Sequence, residues 1–148
     1  MLEARAAAAL HGTQLLVTFG GNGRSTGFGT MVSSAASRAR FVRELVPLCE
    51  AHGLQGVDYN WEYPGYDFGK GYDESRLGRE YAGLFSLLRE TRAAFGSSAA
   101  APGGEGGEGA GGRGVTTITM AYYPDGRQEK LLAAGGAPQC VDLFHAMA

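Results

Sequence analysis

The chain has 148 residues, 44% of them hydrophobic and 19% charged, with a formal net charge of -2. This composition is typical of one globular unit, and the slight negative balance argues against nucleic acid or an anionic membrane as the main partner. No apolar run approaches the ~20 residues of a membrane span, and the two cysteines lack metal-type spacing.

The first half of the chain predicts helix and strand in alternation. Residues 1–10, rich in alanine, favour a helix over a signal peptide. The apolar run Leu15–Phe19, followed by two glycines, predicts a buried strand. Ser34 is the expected N-cap of a helix closed by Gly53, and Pro47 should kink that helix or end its regular part.

The middle of the chain predicts a second strand and a long helix. The strand covers Gly56–Tyr63, and Pro64 ends it. After a loop rich in glycine and tyrosine, Asp73 is the expected cap of a helix with apolar residues at helical spacing, and Gly96 should stop this helix.

The last third predicts an insertion followed by two more strands. Residues 99–114 are mostly glycine and predict a flexible insertion, because such a composition cannot repay its ordering entropy. Val115–Tyr122 predicts a third strand, Leu131 and Leu132 lie in a short helix, and Val141–Ala148 predicts a fourth strand. Strands separated by helices indicate parallel β/α units, but a closed barrel needs ~250 residues. The pattern therefore predicts a small open sheet or part of a larger α/β fold.

Three polar side chains alternate along the second strand, at Asp58, Asn60 and Glu62. In an extended segment they project to one face, and the apolar residues between them project to the other. Burying such a row costs free energy unless its members bind one another or a ligand. Pro64 places Glu62 at the carboxyl end of the strand, where β/α proteins carry reactive groups. The alternative is a structural polar ladder, which gives no reason for a carboxylate at that end.

These residues carry a resemblance to glycoside hydrolase family 18. The segment Gln55–Pro64 resembles the family's fourth-strand motif, Asp-Gly-x-Asp-x-Asp-x-Glu followed by Tyr-Pro, and Thr18–Gly21 resembles its third-strand Ser-x-Gly-Gly. Val115–Tyr123 and Val141–Ala148 look like the fifth and sixth strands. The resemblance implies that residues 1–148 are a partial catalytic domain of α/β class, covering roughly the third to sixth β/α units of a (β/α)8 TIM barrel.

The resemblance implies chitinase-type hydrolysis of β-1,4-linked N-acetylglucosamine polymers, with retention and with the substrate's N-acetyl group as nucleophile. Glu62 would protonate the glycosidic oxygen and later deprotonate water, Asn60 would accept the acetamide N–H, and Asp58 would hold Asn60. The implied partner is chitin or its oligosaccharides, without metal or cofactor. The full-length protein is expected to be a monomer in the secretory pathway or outside the cell.

The same resemblance implies further substrate-binding residues in the loops and at the strand ends, namely Gly20, Gly21, Asn22, Gly23, Tyr63, Ala121, Tyr123 and Met147. The glycines are also consistent with an ordinary turn, and Met147 with a plain core position. Asn22 stands where the family usually has Trp, so one stacking platform is missing. Tyr66, Phe68 and Tyr72 could stack on sugars or only pack against one another.

Two departures from the family motif leave alternatives open. Gln55 replaces the first Asp, and Asn60 replaces the Asp two residues before the acid. An amide accepts a hydrogen bond but has no charge to offset a cationic intermediate, so we expect weakened hydrolysis or a shift toward binding. Glu62 favours an enzyme, and Asn60 favours a lectin-like chitin-binding protein. A third possibility is an inactive fragment, because half a barrel leaves sheet edges and a polar interior uncovered.

Overall fold

The computed structural model describes residues 2–99 and 114–148, so most of the predicted insertion at 99–114 lies outside the described residues. The helices are α1 (Leu2–His11), α2 (Phe28–Val32), α3 (Ala35–His52), α4 (Glu74–Ala99) and α5 (Arg127–Ala134), with a 3-10 turn at Ala137–Gln139. The strands are β1 (Leu16–Gly20), β2 (Gly56–Asn60), β3 (Tyr66–Asp67), β4 (Gly71–Tyr72), β5 (Thr117–Tyr122) and β6 (Leu143–Ala146). No helix of this described part is long and apolar enough to cross a membrane.

The main sheet has four parallel strands in the order β1-β2-β5-β6. Parallel neighbours require crossover connections, and helical segments supply them between successive strands. This arrangement confirms the predicted α/β class with a parallel sheet. The segment predicted as a glycine- and tyrosine-rich loop contains an additional small antiparallel pair, β3 with β4.

One face of the sheet is packed against the helices. Val57 and Tyr59 of β2 are fully buried there, and Trp61, just after the strand, is 4% exposed. The Trp61 ring stacks on Phe28 with centroids 5.0 Å apart, and the Tyr59 hydroxyl lies 2.8 Å from the hydroxyl of Thr91 on α4. The apolar half of the predicted alternation therefore forms the core.

Helix α3 begins and ends where the sequence predicts. The Ser34 hydroxyl accepts a hydrogen bond from the amide three residues on, and Gly53 closes the helix with φ 61°. The helix does not end at Pro47. Leu45 and Cys49, on either side of the proline, are both buried in the core, which keeps this turn of the helix in place.

Helix α4 begins as predicted but is longer than expected. Asp73 Oδ1 accepts hydrogen bonds from the amides of Ser75 and Arg76, at 2.9 and 3.3 Å. The predicted stop at Gly96 is wrong, because the helix continues past this residue. A glycine inside a helix costs only about 0.5–1 kcal/mol, and its neighbour Phe95, 1% exposed, anchors this turn in the core.

Candidate active site

Strand β2 ends earlier than the predicted Gly56–Tyr63. It stops at Asn60, which is paired with Gly20, the last residue of β1. The Gly21 amide still donates to the Asn60 carbonyl at 2.7 Å, and beyond this point β1 offers no further backbone for pairing. Glu62 and Tyr63, joined by a cis peptide bond, therefore follow the strand rather than forming its end. Glu62 lies just beyond the carboxyl end of β2.

The three polar residues differ in burial from the residues between them. Asp58, Asn60 and Glu62 are all half-buried, whereas the intervening side chains are buried in the core. The Glu62 amide donates to the hydroxyl of Ser25 at 3.0 Å, which holds the backbone of the acid in place. No described residue donates a hydrogen bond to the Glu62 carboxylate. The oxygens of this carboxyl group therefore have hydrogen-bonding capacity left for a ligand.

Asp58 is held by side chains of the two neighbouring strands. The Thr119 hydroxyl of β5 donates to Asp58 Oδ1 at 2.7 Å, and His145 Nε2 of β6 lies 4.0 Å from the same oxygen. Thr119 is only 3% exposed, so this hydrogen bond is well shielded from water. The three residues form a polar group on the sheet face opposite the helices.

Asn60 lies against the end of β1. A Cβ on Gly20 would stand 2.0 Å from the Asn60 carbonyl oxygen, and one on Gly21 would stand 3.8 Å from the side-chain Nδ2. Both glycines have φ near 100°, which other residues rarely adopt. Asn60 Oδ1 is buried and has no hydrogen-bond partner in the described part of the chain. An unsatisfied buried acceptor costs about 1–3 kcal/mol, which a ligand N–H would relieve.

The structure separates the four loop candidates into two pairs. Gly20 and Gly21 lie beside Asn60, whereas Asn22 and Gly23 lie in an exposed turn. That turn is closed by a hydrogen bond from the Arg24 amide to the Gly21 carbonyl at 2.9 Å. A Cβ on Gly23 would meet nothing within 4 Å, so this position resembles an ordinary turn.

Four aromatic residues, which we call the aromatic mouth, are grouped around Tyr63, the neighbour of Glu62 in sequence: Tyr63, Tyr66, Phe68 and Tyr123. The Tyr63 ring centroid is 5.9 Å from that of Tyr123 and 6.0 and 6.1 Å from those of Tyr66 and Phe68. Partial burial, followed by the negative charge of Glu62, raises the pKa of Tyr63. Phe68 is 64% and Tyr123 46% exposed, so the cluster presents ring surface to solvent.

The two remaining candidates lie at the same end of the sheet. Ala121 is buried and pairs in register with His145 on β6. Met147 is half-buried just past β6, and its amide donates to the Tyr122 carbonyl at 2.9 Å. Among the described residues, no three His, Cys, Asp or Glu side chains are grouped as a metal ion requires.

Sequence reasoning missed three residues that shape this region: Ser25, Thr119 and Gln128. Thr119 carried a usable signal, because alternation along β5 places it on the same face as Ala121. Ser25 reaches the Glu62 amide only through the turn that precedes it. Gln128 contacts the backbone of Tyr123 from the following helix. No local pattern marks either of these contacts.

Residues 2–148 match the sequence profile of the glycosyl hydrolases family 18. Class V chitinase CHIT5 from Lotus japonicus is 38% identical over 53 residues, which cover 36% of this chain and 13% of that protein. Probable chitinase 10 from Drosophila melanogaster is 32% identical over 89 residues, which cover 57% of this chain and 4% of that protein. The chain thus spans a small part of the length of these relatives.

Solved structures share the fold. Chitinase ChiA74 from Bacillus thuringiensis superimposes with a TM-score of 0.78 at 23% identity, over 98% of this chain and 21% of that one. A mutant class V chitinase from Nicotiana tobaccum in complex with NAG4 superimposes with a TM-score of 0.66 at 23% sequence identity, over 92% of this chain and 34% of that one. The chitinase-like agglutinin from Robinia pseudoacacia superimposes with a TM-score of 0.66 at 22% sequence identity, over 91% of this chain and 36% of that one. Since the family profile matches residues 2–148, this chain belongs to the glycosyl hydrolases family 18.

Proposed function

We propose that the protein is a chitinase-type glycosidase that hydrolyses β-1,4-linked N-acetylglucosamine polymers with Glu62 as its general acid and base. The observation that carries this proposal is the alternation along β2. Asp58 and Asn60 leave the sheet on one face, their apolar neighbours are buried on the other, and Glu62 follows at the carboxyl end. Reactive groups of β/α enzymes lie at this end of the sheet.

Glu62 acts twice in the proposed reaction. It first protonates the glycosidic oxygen, while the acetamido oxygen of the substrate attacks the anomeric carbon and the leaving sugar departs. It then removes a proton from water, which opens the cyclic intermediate with retention of configuration. A half-buried carboxyl group to which no described residue donates a hydrogen bond suits a group that must give and take protons.

Asn60 orients the substrate acetamide. Its unsatisfied Oδ1 accepts the acetamide N–H, which turns the acetamido oxygen toward the anomeric carbon. Asp58, which accepts from Thr119, precedes Asn60 by two residues on the same face of β2, and in the proposed complex the Asn60 side-chain amide donates to it and is kept in this orientation. The neutral amide gives less stabilisation to the cationic intermediate than a carboxylate would, so turnover is slower than with two carboxylates.

The substrate surface includes the glycine turn and the aromatic mouth. Gly20 and Gly21 let the chain approach Asn60, and Tyr63 with Tyr123 presents ring faces of the kind that stack on pyranose rings. Ala121 and Met147 complete the floor at the ends of β5 and β6. The NAG4 complex of the Nicotiana tobaccum relative supports an oligosaccharide of N-acetylglucosamine as ligand.

Residues 1–148 form the middle of the catalytic domain in this proposal, the third to sixth units of a TIM barrel. Strands β1 and β6 each pair on one side only among the described residues, so a longer polypeptide can extend the sheet at both edges. The chain covers 21% and 34% of the Bacillus thuringiensis and Nicotiana tobaccum chitinase chains, which supports the same view. The full-length protein is therefore the object to assay.

A lectin-like protein that binds chitin with little turnover is the second candidate. The neutral Asn60 and the likeness to the Robinia pseudoacacia agglutinin favour it. An assay with a fluorogenic chitobioside, together with chitin-bead binding, distinguishes the two functions. We expect the wild-type protein to exceed the Glu62→Gln variant in turnover by at least about a hundredfold, with both binding chitin. Equal turnover with binding retained indicates the lectin, and absence of both activities contradicts the proposal.

A further inference from the structure

Gln128 is a fully buried polar side chain between two loops at the mouth of the site. It is 1% exposed, although it occupies the first turn of α5. Its Oε1 accepts from the Tyr123 amide at 3.2 Å, and its Nε2 donates to the Tyr72 hydroxyl at 3.0 Å. Both ends of the amide are therefore occupied by partners from different segments.

The two partners of Gln128 reach Tyr63 by different routes: Tyr72 contacts it through Tyr66, whereas Tyr123 contacts it directly. Tyr72 lies on β4, and its ring packs at 5.0 Å against Tyr66, which in turn packs against Tyr63. Tyr123 follows β5, and its ring centroid lies 5.9 Å from that of Tyr63. A buried amide with two hydrogen bonds thus connects the β3–β4 hairpin to the loop after β5.

The hairpin is fixed to α5 by additional contacts around the same amide. The Tyr72 hydroxyl donates to Asp125 Oδ2 at 2.5 Å, and Asp125 Oδ1 accepts the Gln128 backbone amide at 2.8 Å. Arg127 places its guanidinium carbon 4.6 Å from the Tyr72 ring centroid and forms an ion pair with Glu74. The Asp125 amide donates to the Tyr123 carbonyl at 2.9 Å, and Gln128 is the one of these groups whose side chain bonds the Tyr123 backbone.

We propose that Gln128 is a positioning residue that fixes the relative placement of the Tyr63 and Tyr123 rings and thereby sets the affinity of the site for the sugar chain. This inference rests on the proposed function, because the placement of the two rings affects affinity only if a polysaccharide lies across them. Gln128 touches no reacting group, so its loss weakens binding rather than the chemical step. A side chain at position 128 must both accept and donate, which a carboxylate and an aliphatic residue cannot do.

The test compares two variants of the full-length protein with wild type on chitin oligosaccharides. Gln128→Leu removes both hydrogen bonds and should raise KM about tenfold, with kcat within about threefold. Gln128→Glu should also raise KM at about pH 7.5, because the carboxylate still accepts from the Tyr123 amide but cannot donate to Tyr72. At about pH 5 the introduced carboxyl becomes a donor again, because burial and the negative charge of Asp125 raise its pKa and favour the protonated form. The KM of this variant relative to that of wild type should then return toward one.

The matched control is Gln139→Leu, which makes the same change at an exposed glutamine in the 3-10 turn. It should leave KM within about twofold of wild type. A Gln128→Leu protein that is folded and has a wild-type KM overturns the inference. If that variant does not fold, a Gln128→Glu variant whose relative KM is independent of pH overturns it.

A measurement without substrate separates this inference from the proposed function. Nuclear Overhauser effects between the Tyr63 and Tyr123 rings, recorded on tyrosine-labelled protein, should weaken in Gln128→Glu at neutral pH and recover at acidic pH. If wild type proves inactive and does not bind chitin while this recovery occurs, the proposed function fails and the positioning role stands. If the ring contact does not respond to Gln128, the positioning role fails whatever the activity.

Discussion

The hydroxyl of Thr119 donates a 2.7 Å hydrogen bond to Oδ1 of Asp58 on the neighbouring strand. The two residues are register partners between β2 and β5, so the parallel sheet itself brings them together. Thr119 uses its one hydroxyl proton in this contact, and its burial shields the bond from competing water. The contact orients the carboxylate on which the placement of Asn60 depends in the proposed reaction.

Replacing Thr119 should therefore affect turnover as well as stability. Thr119→Val removes the donor at nearly constant volume, and we expect a loss of about 1.5 kcal/mol of unfolding free energy and a lower kcat. Thr119→Ser keeps the hydroxyl and loses a methyl group, which should cost about 0.8 kcal/mol but preserve kcat. Urea unfolding and oligosaccharide hydrolysis measure the two effects. A Thr119→Val protein with wild-type kcat contradicts the orienting role.

Asn60→Asp should raise hydrolysis, because a carboxylate next to the cationic intermediate stabilises it where the amide does not. We expect kcat on chitin oligosaccharides to increase about tenfold or more. The control is Gln139→Glu, which adds the same charge at an exposed position and should leave kcat unchanged. Unchanged or lower turnover in Asn60→Asp would count against the assigned role of this residue.

The sequence predicted the fold where local pattern decides the structure. Ser34 and Asp73 cap helices because their side chains accept hydrogen bonds from amides in the first helical turn. This geometry depends on only a few neighbouring residues. The end of β2 was predicted too late, because it depends on where β1 stops, and β1 is distant in sequence. Gly96 predicts a helix stop, but the helix continues because its neighbour Phe95 is buried in the core.

In the candidate site, too, local features could be predicted from the sequence and contacts between distant residues could not. Alternation of Asp58 and Asn60 with buried residues could be predicted from the strand alone, and Glu62 follows from the motif. The hydrogen bond of Ser25 to the Glu62 amide joins residues 37 apart in sequence, and that of Gln128 to Tyr72 joins residues 56 apart. A glutamine in the first turn of a short helix looks like a solvent-exposed residue, but the fold buries it between segments distant in sequence.

Gly20 should be intolerant of a side chain for reasons beyond its backbone angle. Gly20 and Gly23 both have positive φ, 101° and 71°, but only a Cβ at Gly20 would meet the Asn60 carbonyl, at 2.0 Å. Gly23→Ala should cost about 1 kcal/mol of stability from the left-handed backbone alone. Gly20→Ala should cost more than twice that and lower activity, because β1 must move away from Asn60. Equal losses in thermal unfolding would contradict the close approach.

The Tyr72–Asp125 pair should make the attachment of the hairpin depend on pH at both extremes. Partial burial raises the pKa of Asp125, but hydrogen bonds from the Tyr72 hydroxyl and from the amides of Gln128 and Arg127 outweigh it and hold the pKa below the ordinary 3.8. Burial, together with the hydrogen bond to Asp125, raises the pKa of Tyr72 from 10.0 to about 12. The native pair is therefore a neutral phenol bound to a carboxylate.

The sign of each shift sets the window in which the pair contributes to stability. A lowered Asp125 pKa gives a contribution that is complete above pH 3.8 and is lost as pH falls through the native value. A raised Tyr72 pKa gives a contribution that is complete below pH 10.0 and is lost as pH rises through about 12. The stability difference between wild type and Tyr72→Phe, from urea unfolding across pH, should be constant between these limits and shrink outside them. Tyr122→Phe is the control, because it removes a hydroxyl that has no hydrogen-bond partner among the described residues. A wild-type advantage that persists unchanged below pH 3.8 would show that the phenol–carboxylate bond does not hold the hairpin.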